Sequence, residues 1–496
     1  MTDGASPSMP LCSRNQLLSV LGDLTGKRAV VLGLGLFGGG EGAARFLAER
    51  GAQVCVTDKK EASRLAPALE RLDDLPIRYR LGEHRQEDLT EADLVVVNPA
   101  VPRDCDLLQT CHAAGVPLAS PMNLFLSLCP APAAAVTGSA GKSTTTAMLA
   151  AMLRAGERSV HLGGNMGISL LPRLEEIRPD DIVVLELSSV QLEDAACLPW
   201  SPHAAIITNI TPNHLDRYGT FHAYAAAKKN ILTFQNHSDL AVLNRRDSTL
   251  RRWGDDGTPG RLLYFDTEGE DGDTPEGTCL RGGRLMWNDG RSRQVICTAD
   301  QIPLPGNHNV ANALAASAAA RWLGVPARRI RGALQEFSAL EHRLEECARV
   351  AGMTFYNDSD STTPESTTAG LKSFDGPLTL IAGGYNKDLD LRPLARAIVE
   401  HVEVLITLGT SGPDIAQGTR EAGLHAGSQP VIREVESLAD AIDTAFDLSM
   451  PGSTVLFSPA CASFDMFENF AQRGRRFKEL VAQRANHPPE PNADCA

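Results

Sequence analysis

Ala135-Val136-Thr137-Gly138-Ser139-Ala140-Gly141-Lys142-Ser143-Thr144 sets two glycines ahead of a lysine and two hydroxyl residues. An apolar run precedes the glycines and an Ala/Met/Leu-rich stretch follows Thr144. That order reads as strand, tight turn and helix N-terminus, where backbone N–H groups and the helix dipole converge on an anion. Lys142 adds a point charge suited to terminal phosphates, and the Ser143 hydroxyl suits Mg²⁺. The loop reads G-x-x-G-K-S from Gly138, shorter than the common G-x-x-x-x-G-K-[ST] pattern. Its chemistry is the holding of a nucleotide phosphate chain.

Other reactive side chains sit where strands should end. Glu186 follows the apolar run Ile182 to Leu185, a place that suits a Mg²⁺ ligand beside phosphates. The loop Asn209 to Tyr218 gathers His214, Asp216 and Arg217 after another apolar run. It faces the sheet edge where α/β proteins bind ligands. Lys228 and Lys229 fall in a helical pattern and, on the residues alone, read as a solvated face. Arg343 could fork onto a phosphate. Asp358 follows a strand and could accept from a ribose. Lys387 follows the run Leu378 to Ala382 and could hold a carboxylate. Ser458 to Asp465 is a strand-to-helix turn that suits an anion. Cys461 lies in that turn, with no nearby His to make it a nucleophile. Near the start, Gly33, Gly35 and Gly38 make G-x-G-x-x-G, with Asp58 about 20 residues on, a pattern that by itself suggests NAD.

The elements that must carry these residues are alternating strands and helices. With 496 residues, the chain is too long for one core. Lys27 to Gly35, Gln53 to Thr57 and Leu94 to Val97 read as strands, and Glu41 to Arg50 as a helix. Cys129 to Pro132 reads as a linker. Asp181 to Leu185 and Ala204 to Thr208 read as buried parallel strands. The Gly-rich, charged stretch Asp255 to Asp300 reads as an irregular or antiparallel excursion. Helices are expected over Asn309 to Leu323 and Ala327 to Phe337. Strands follow at Met353 to Tyr356, Leu378 to Ala382, Val404 to Leu408 and Thr454 to Ser458. The fold class is α/β. The expected domains are 1–130, 131–339 and 340–486, with an Asn/Pro-rich disordered tail at 487–496. No apolar run reaches the ~20 residues of a membrane span, and the first ten residues lack a signal-peptide pattern. Eleven scattered cysteines without a C-x-x-C pair fit reduced thiols in a cytosol. A net charge of −14 argues against a general nucleic-acid binder.

In this order the motifs resemble the Mur ligase family, ATP-dependent amide ligases of cell-wall and folate synthesis. The likeness runs from about Gly26 to Arg484. The family marks are Gly138 to Ser143, Glu186-Leu187-Ser188-Ser189, His214 within Asn209 to Asp216, Gly306 to Asn309 with Asn312-Ala313, and His342-Arg343. Further marks are Gly33-Leu34-Gly35, Gly163 to Gly167, Leu187 to Glu193, and Ser458 to Asp465 with Phe470 and Arg473-Gly474. These point to the member that joins D-glutamate to UDP-N-acetylmuramoyl-L-alanine through an acyl phosphate.

The resemblance implies a Rossmann-like UDP-sugar domain, a P-loop-type ATPase domain and a Rossmann-like C-terminal domain for amino acid and nucleotide. It implies ATP held by Gly138, Ser139, Gly141, Lys142, Ser143 and Thr144, with Asn309, Asn312, Arg343 and Asp358. It implies two Mg²⁺ ions on Ser143, Glu186, His214 and Lys228, the last as a carbamylated lysine. Gly35, Leu36, Phe37 and Asp58 would meet the uridine end of the substrate, and Asn165, Ser188 and Gln191 its remainder. Lys387, Ser463 and Phe470 would surround D-glutamate. A cytoplasmic monomer is implied. Three positions depart from the family pattern: Ala140 stands where a polar residue is usual, Phe37 where Thr is common, and Asp360 where a Lys commonly follows Asp-Ser. Asp360 leaves amino-acid specificity open. The alternatives are another amino-acid-adding Mur ligase, a folylpolyglutamate synthase-like enzyme, an NAD-dependent oxidoreductase and a non-catalytic nucleotide-binding regulator.

Overall fold

The computed structural model describes residues 11–269, 275–387, 389–427 and 429–486. The tail expected at 487–496 lies outside them. Three sheets organise the chain. The first is parallel and five-stranded, in the spatial order Arg78–Leu81, Gln53–Asp58, Arg28–Leu32, Leu94–Val97 and Leu118–Ala119. Its central strands read Ala-Val-Val-Leu and Leu-Val-Val-Val and are buried on both faces, as a parallel sheet covered by helices requires.

The second sheet has nine strands. Val160–Gly164, Ile182–Glu186, Ala133–Thr137, Ala204–Ile207, Leu240–Asn244 and Arg261–Asp266 run parallel in that spatial order. Gly277–Arg281 continues parallel to Arg261–Asp266, and Arg284–Asn288 and Arg293–Thr298 then add an antiparallel meander. The stretch read from sequence as an irregular or antiparallel excursion thus extends the central sheet at its edge. Ala133–Thr137 lies between Ile182–Glu186 and Ala204–Ile207, so the phosphate-loop strand sits inside the sheet with Glu186 ending one neighbour and Thr208 just past the end of the other.

The third sheet orders Glu345–Val350, Met353–Asn357, Thr454–Phe457, Leu378–Gly383, Val404–Leu408 and Val431–Glu434. All its pairs are parallel except the first. The chain divides into two units. One holds the first two sheets (1–301 and 311–335), the other the third (302–310 and 336–496). No helix among the described residues is long and apolar enough to cross a membrane.

Candidate active site

The strand Ala133–Thr137 delivers the chain into the turn 138–141, and the helix Lys142–Ala155 starts immediately after it. Gly141 occupies the left-handed region at φ 78°. A Cβ there would lie 2.3 Å from Asn312 Oδ1, which also accepts from Thr145 Oγ1 at 3.2 Å. Asn312 is thereby packed against the start of the phosphate-loop helix. Asn309 is buried one turn earlier on its helix, donating to the Pro305 carbonyl.

The turn is braced from the neighbouring strand end. Asn209 Nδ2 donates to Ala140 O at 3.1 Å, and Asn209 Oδ1 accepts from Ala140 N at 2.9 Å. Thr208 Oγ1 donates to the same carbonyl at 2.6 Å, and Ser139 N to Asn209 O at 2.9 Å. Position 140 is thus held through its backbone, and its exposed methyl group takes no part. Lys142 Nζ folds back to the Ser139 carbonyl at 3.1 Å.

Ser143 and Glu186 meet as the strand order requires. Ser143 Oγ donates to Glu186 Oε2 at 2.5 Å, and Asn165 Nδ2 donates to Glu186 Oε1 at 2.9 Å. Glu186 is 2% exposed. The two oxygen donors, Ser143 Oγ and Glu186, share one spot beside the phosphate loop, a donor set that fits Mg²⁺. Thr144 is half-buried in the first helical turn.

Lys228 corrects its reading as a solvated lysine. The helix Phe221–Lys229 buries Tyr224, Ala225, Ala227 and Lys228, and leaves Lys229 exposed. Lys228 is 1% exposed, and its Nζ donates to Gly138 O at 2.8 Å and to Thr137 Oγ1 at 3.4 Å. Burial and then the nearby Lys142 push its pKa down to about 6, against the opposing pull of Glu186. His214 is exposed, at φ 52°, with its ring 6.2 Å from that of Tyr224. Its neighbour Arg217 pairs with Glu193 at 3.1 Å. Among the described residues no three His, Cys, Asp or Glu side chains converge as a metal site.

Ser188 and Gln191 form a reciprocal helix cap: Ser188 Oγ accepts from Gln191 N at 3.2 Å, and Gln191 Oε1 from Ser188 N at 3.0 Å. Asp58 is likewise engaged with backbone. Its Oδ2 accepts from Leu34 N at 2.9 Å and Gly35 N at 3.2 Å, and its Oδ1 from Lys60 N at 2.9 Å. The carboxylate that would read a ribose in an NAD site instead shapes its own glycine loop. That loop approaches the Asn165 turn, since a Cβ on Gly38 would lie 3.0 Å from Gly167 O. Leu36 is half-buried there and Phe37 is 70% exposed.

In the second unit Asp358 is buried, accepting from Leu344 N at 3.1 Å and Ser458 Oγ at 2.7 Å. Burial pushes its carboxyl up to about 6. Arg343 Nη2 pairs with Asp360 Oδ2 at 2.8 Å, so the acid at the departing position is an ion-pair partner. Lys387 is exposed, its Nζ 5.2 Å from the Phe464 ring centre. Ser463 is buried, and Phe470 meets His342 edge-on at 6.1 Å. Arg473 is buried and donates to the Ser359 and Cys461 carbonyls at 3.0 Å each, tying these loops together. Cys461 is buried, its thiol raised by that burial, and accepts from Ser411 Oγ at 3.0 Å. Asn209, Tyr224 and Arg473 do work that spacing did not assign to them. All three lie inside or beside motifs, but their partners come from distant segments.

Family models match along the chain: a Mur ligase MurD-like N-terminal domain over residues 27–120, a Mur ligase middle domain over 136–320, and a Mur ligase glutamate ligase domain over 342–461. The UDP-N-acetylmuramoylalanine–D-glutamate ligase of Roseiflexus sp. (strain RS-1) is 42% identical, over 92% of this chain and 99% of that protein. The ligase of the same name from Symbiobacterium thermophilum is 37% identical, over 92% and 98%. Among solved structures, the UDP-N-acetylmuramate-alanine ligase MurC of Thermotoga maritima shares the fold with a TM-score of 0.61 and 21% identity, over 92% of this chain and 99% of that one. MurF of Acinetobacter baumannii does so at 0.57 and 18%, over 95% and 100%. The chain belongs to the Mur ligase family.

Proposed function

We propose that this enzyme joins D-glutamate to UDP-N-acetylmuramoyl-L-alanine with cleavage of ATP, in the cytoplasmic assembly of peptidoglycan precursors. The observation that carries the reading is the phosphate loop with Ser143 and Glu186 at 2.5 Å on one side and the buried Lys228 amine on the other. The identity to ligases of that name supports the choice of substrates.

In the proposed reaction a carboxylate oxygen of the substrate's L-alanine attacks the γ-phosphorus of ATP, and ADP leaves. The D-glutamate amine then attacks the acyl carbon, phosphate leaves, and the nitrogen loses a proton. Lys142 and the backbone N–H groups at the start of its helix offset charge on the phosphoryl oxygens. Ser143 and Glu186 would hold one Mg²⁺, which supplies further charge neutralisation. An amine offers a second ion no oxygen. Lys228 fits that role, beside His214, only as a carbamate formed from its neutral amine and CO₂ with loss of one proton. Burial is what disfavours the ammonium form, and the two hydrogen-bond partners of Lys228 are oxygens that carry no formal charge.

Phosphate release with ATP, UDP-N-acetylmuramoyl-L-alanine and a panel of D- and L-amino acids tests the reading. Release with D-glutamate alone is expected. Preference for another amino acid would move the enzyme to a different branch of the family. Asp360 is the residue to change first in that event.

A further inference from the structure

Asn98 packs against the glycine loop of the first sheet. Its Nδ2 donates to Gly33 O at 3.2 Å, and a Cβ on Gly33 would lie 3.0 Å from Asn98 Cβ. Further along the same loop, Arg103 is buried and uses both edges of its guanidinium. Nη1 donates to Asn98 O and to Val101 O at 3.3 Å each. Nε and Nη2 donate to Asp194 Oδ1 and Oδ2 at 3.0 and 2.6 Å. Asp194 stands near the end of the helix Ser189–Ala195, which starts just past Glu186 with the Ser188 cap. The Asp194 carbonyl accepts from Asn123 Nδ2 at 2.9 Å, and Asn123 is itself buried on the helix Pro121–Leu128. Arg103 thus joins the loop behind the glycine turn to the helix that leaves the Glu186 strand end. A buried ion pair adds little net stability over apolar packing of the same volume. What the planar fork adds is one fixed distance and direction, where an apolar contact would let the two layers slide.

We propose that Arg103 and Asp194 are positioning residues for the UDP-linked substrate. They fix the span between the glycine loop, which takes its uridine end, and the Glu186 strand end, beside which its carboxylate reacts. This rests on the substrate reading above. Both side chains are buried and act through the elements they join. A ligand that reaches only one end is indifferent to the span, and a ligand that reaches both must match it. A misplacement of about 1 Å at the reacting end costs on the order of a hundredfold in rate.

Calorimetric titration of the full chain with UDP and with UDP-N-acetylmuramoyl-L-alanine, alongside initial rates, tests this. The double variant Arg103→Met/Asp194→Leu removes the fork and leaves no lone buried charge. It should bind UDP as the parent does and the whole substrate roughly tenfold more weakly. Its kcat should fall about a hundredfold, with KM for ATP unchanged. Arg103→Lys keeps the charge but not the fork, and should show the same pattern at smaller size. It carries the test if circular dichroism shows that the double variant does not fold. Parent-like binding of the whole substrate in a folded variant overturns the inference. Equal weakening of both ligands, which general destabilisation would give, overturns it too. A parent that binds neither ligand overturns the substrate reading itself, whatever the variants do.

Discussion

Lys142 and Asp358 show how differently two polar residues in one chain act. Lys142 carries charge to the phosphate loop, and Lys142→Ala should lower ATP-dependent amide formation about a hundredfold or more, the scale of losing one preorganised donor. Turnover near the parent rate would remove the loop from the mechanism. Asp358 is buried with a raised carboxyl, so its charge opposes folding. A folded pKa near 6 against 3.8 unfolded favours the protonated form. Its contribution is therefore most favourable below pH 4 and is lost as pH rises through 6. Asp358→Asn should stabilise the second unit above pH 6 by up to about 3 kcal/mol, and that gain should vanish below pH 4. Thermal melts of both proteins across this range measure it. A constant difference at all pH values would show that the Asp358 carboxyl titrates alike in the folded and unfolded chain. The Lys228 ammonium is disfavoured by the same burial; residue pattern alone read that lysine as solvated, and only the family resemblance placed it at the site.

The decisive elements are the strand–turn–helix at 133–155 and the strand ends beside it. Gly141 is required there twice over, by its left-handed backbone and by Asn312. Gly141→Ala should cost about 1–2 kcal/mol from the backbone alone. Added to the Asn312 clash, this should raise KM for ATP at least tenfold. Urea unfolding and initial-rate kinetics would show whether loss of affinity exceeds loss of stability, as a local distortion demands. The departing Ala140 needs no polar side chain, because Asn209 and Thr208 engage its backbone N–H and C=O. At this scale the central strands were legible, since their continuous apolar runs leave little alternative. Glu345–Val350 and Val431–Glu434 were not. They are edge strands with mixed burial, and their charged residues mask the pattern.

Across the first unit, Arg103 and Asp194 tie the layer of the first sheet to that of the second. Arg103 Nε and Nη2 donate to the two carboxylate oxygens at 3.0 and 2.6 Å, with side chains 4% and 3% exposed. Arg103→Met leaves a buried carboxylate without its partner and should destabilise the unit by about 3–5 kcal/mol. Adding Asp194→Leu should recover much of that loss, a double-mutant comparison read by urea unfolding. Additive losses would mean that the two side chains act independently. Such a pair, between residues far apart in sequence, leaves no trace in local spacing. The sequence by itself determined the order of strands and helices, the phosphate loop and the family, because these depend on neighbours a few residues apart. Tertiary structure alone decided which polar groups are buried and what they touch. Packing of the Tyr224 face hides Lys228, the glycine loop engages Asp58, the helix cap engages Ser188 and Gln191, and Arg343 pairs with Asp360. Burial and hydrogen-bond partners come from segments distant in sequence, and only the folded chain brings them within reach.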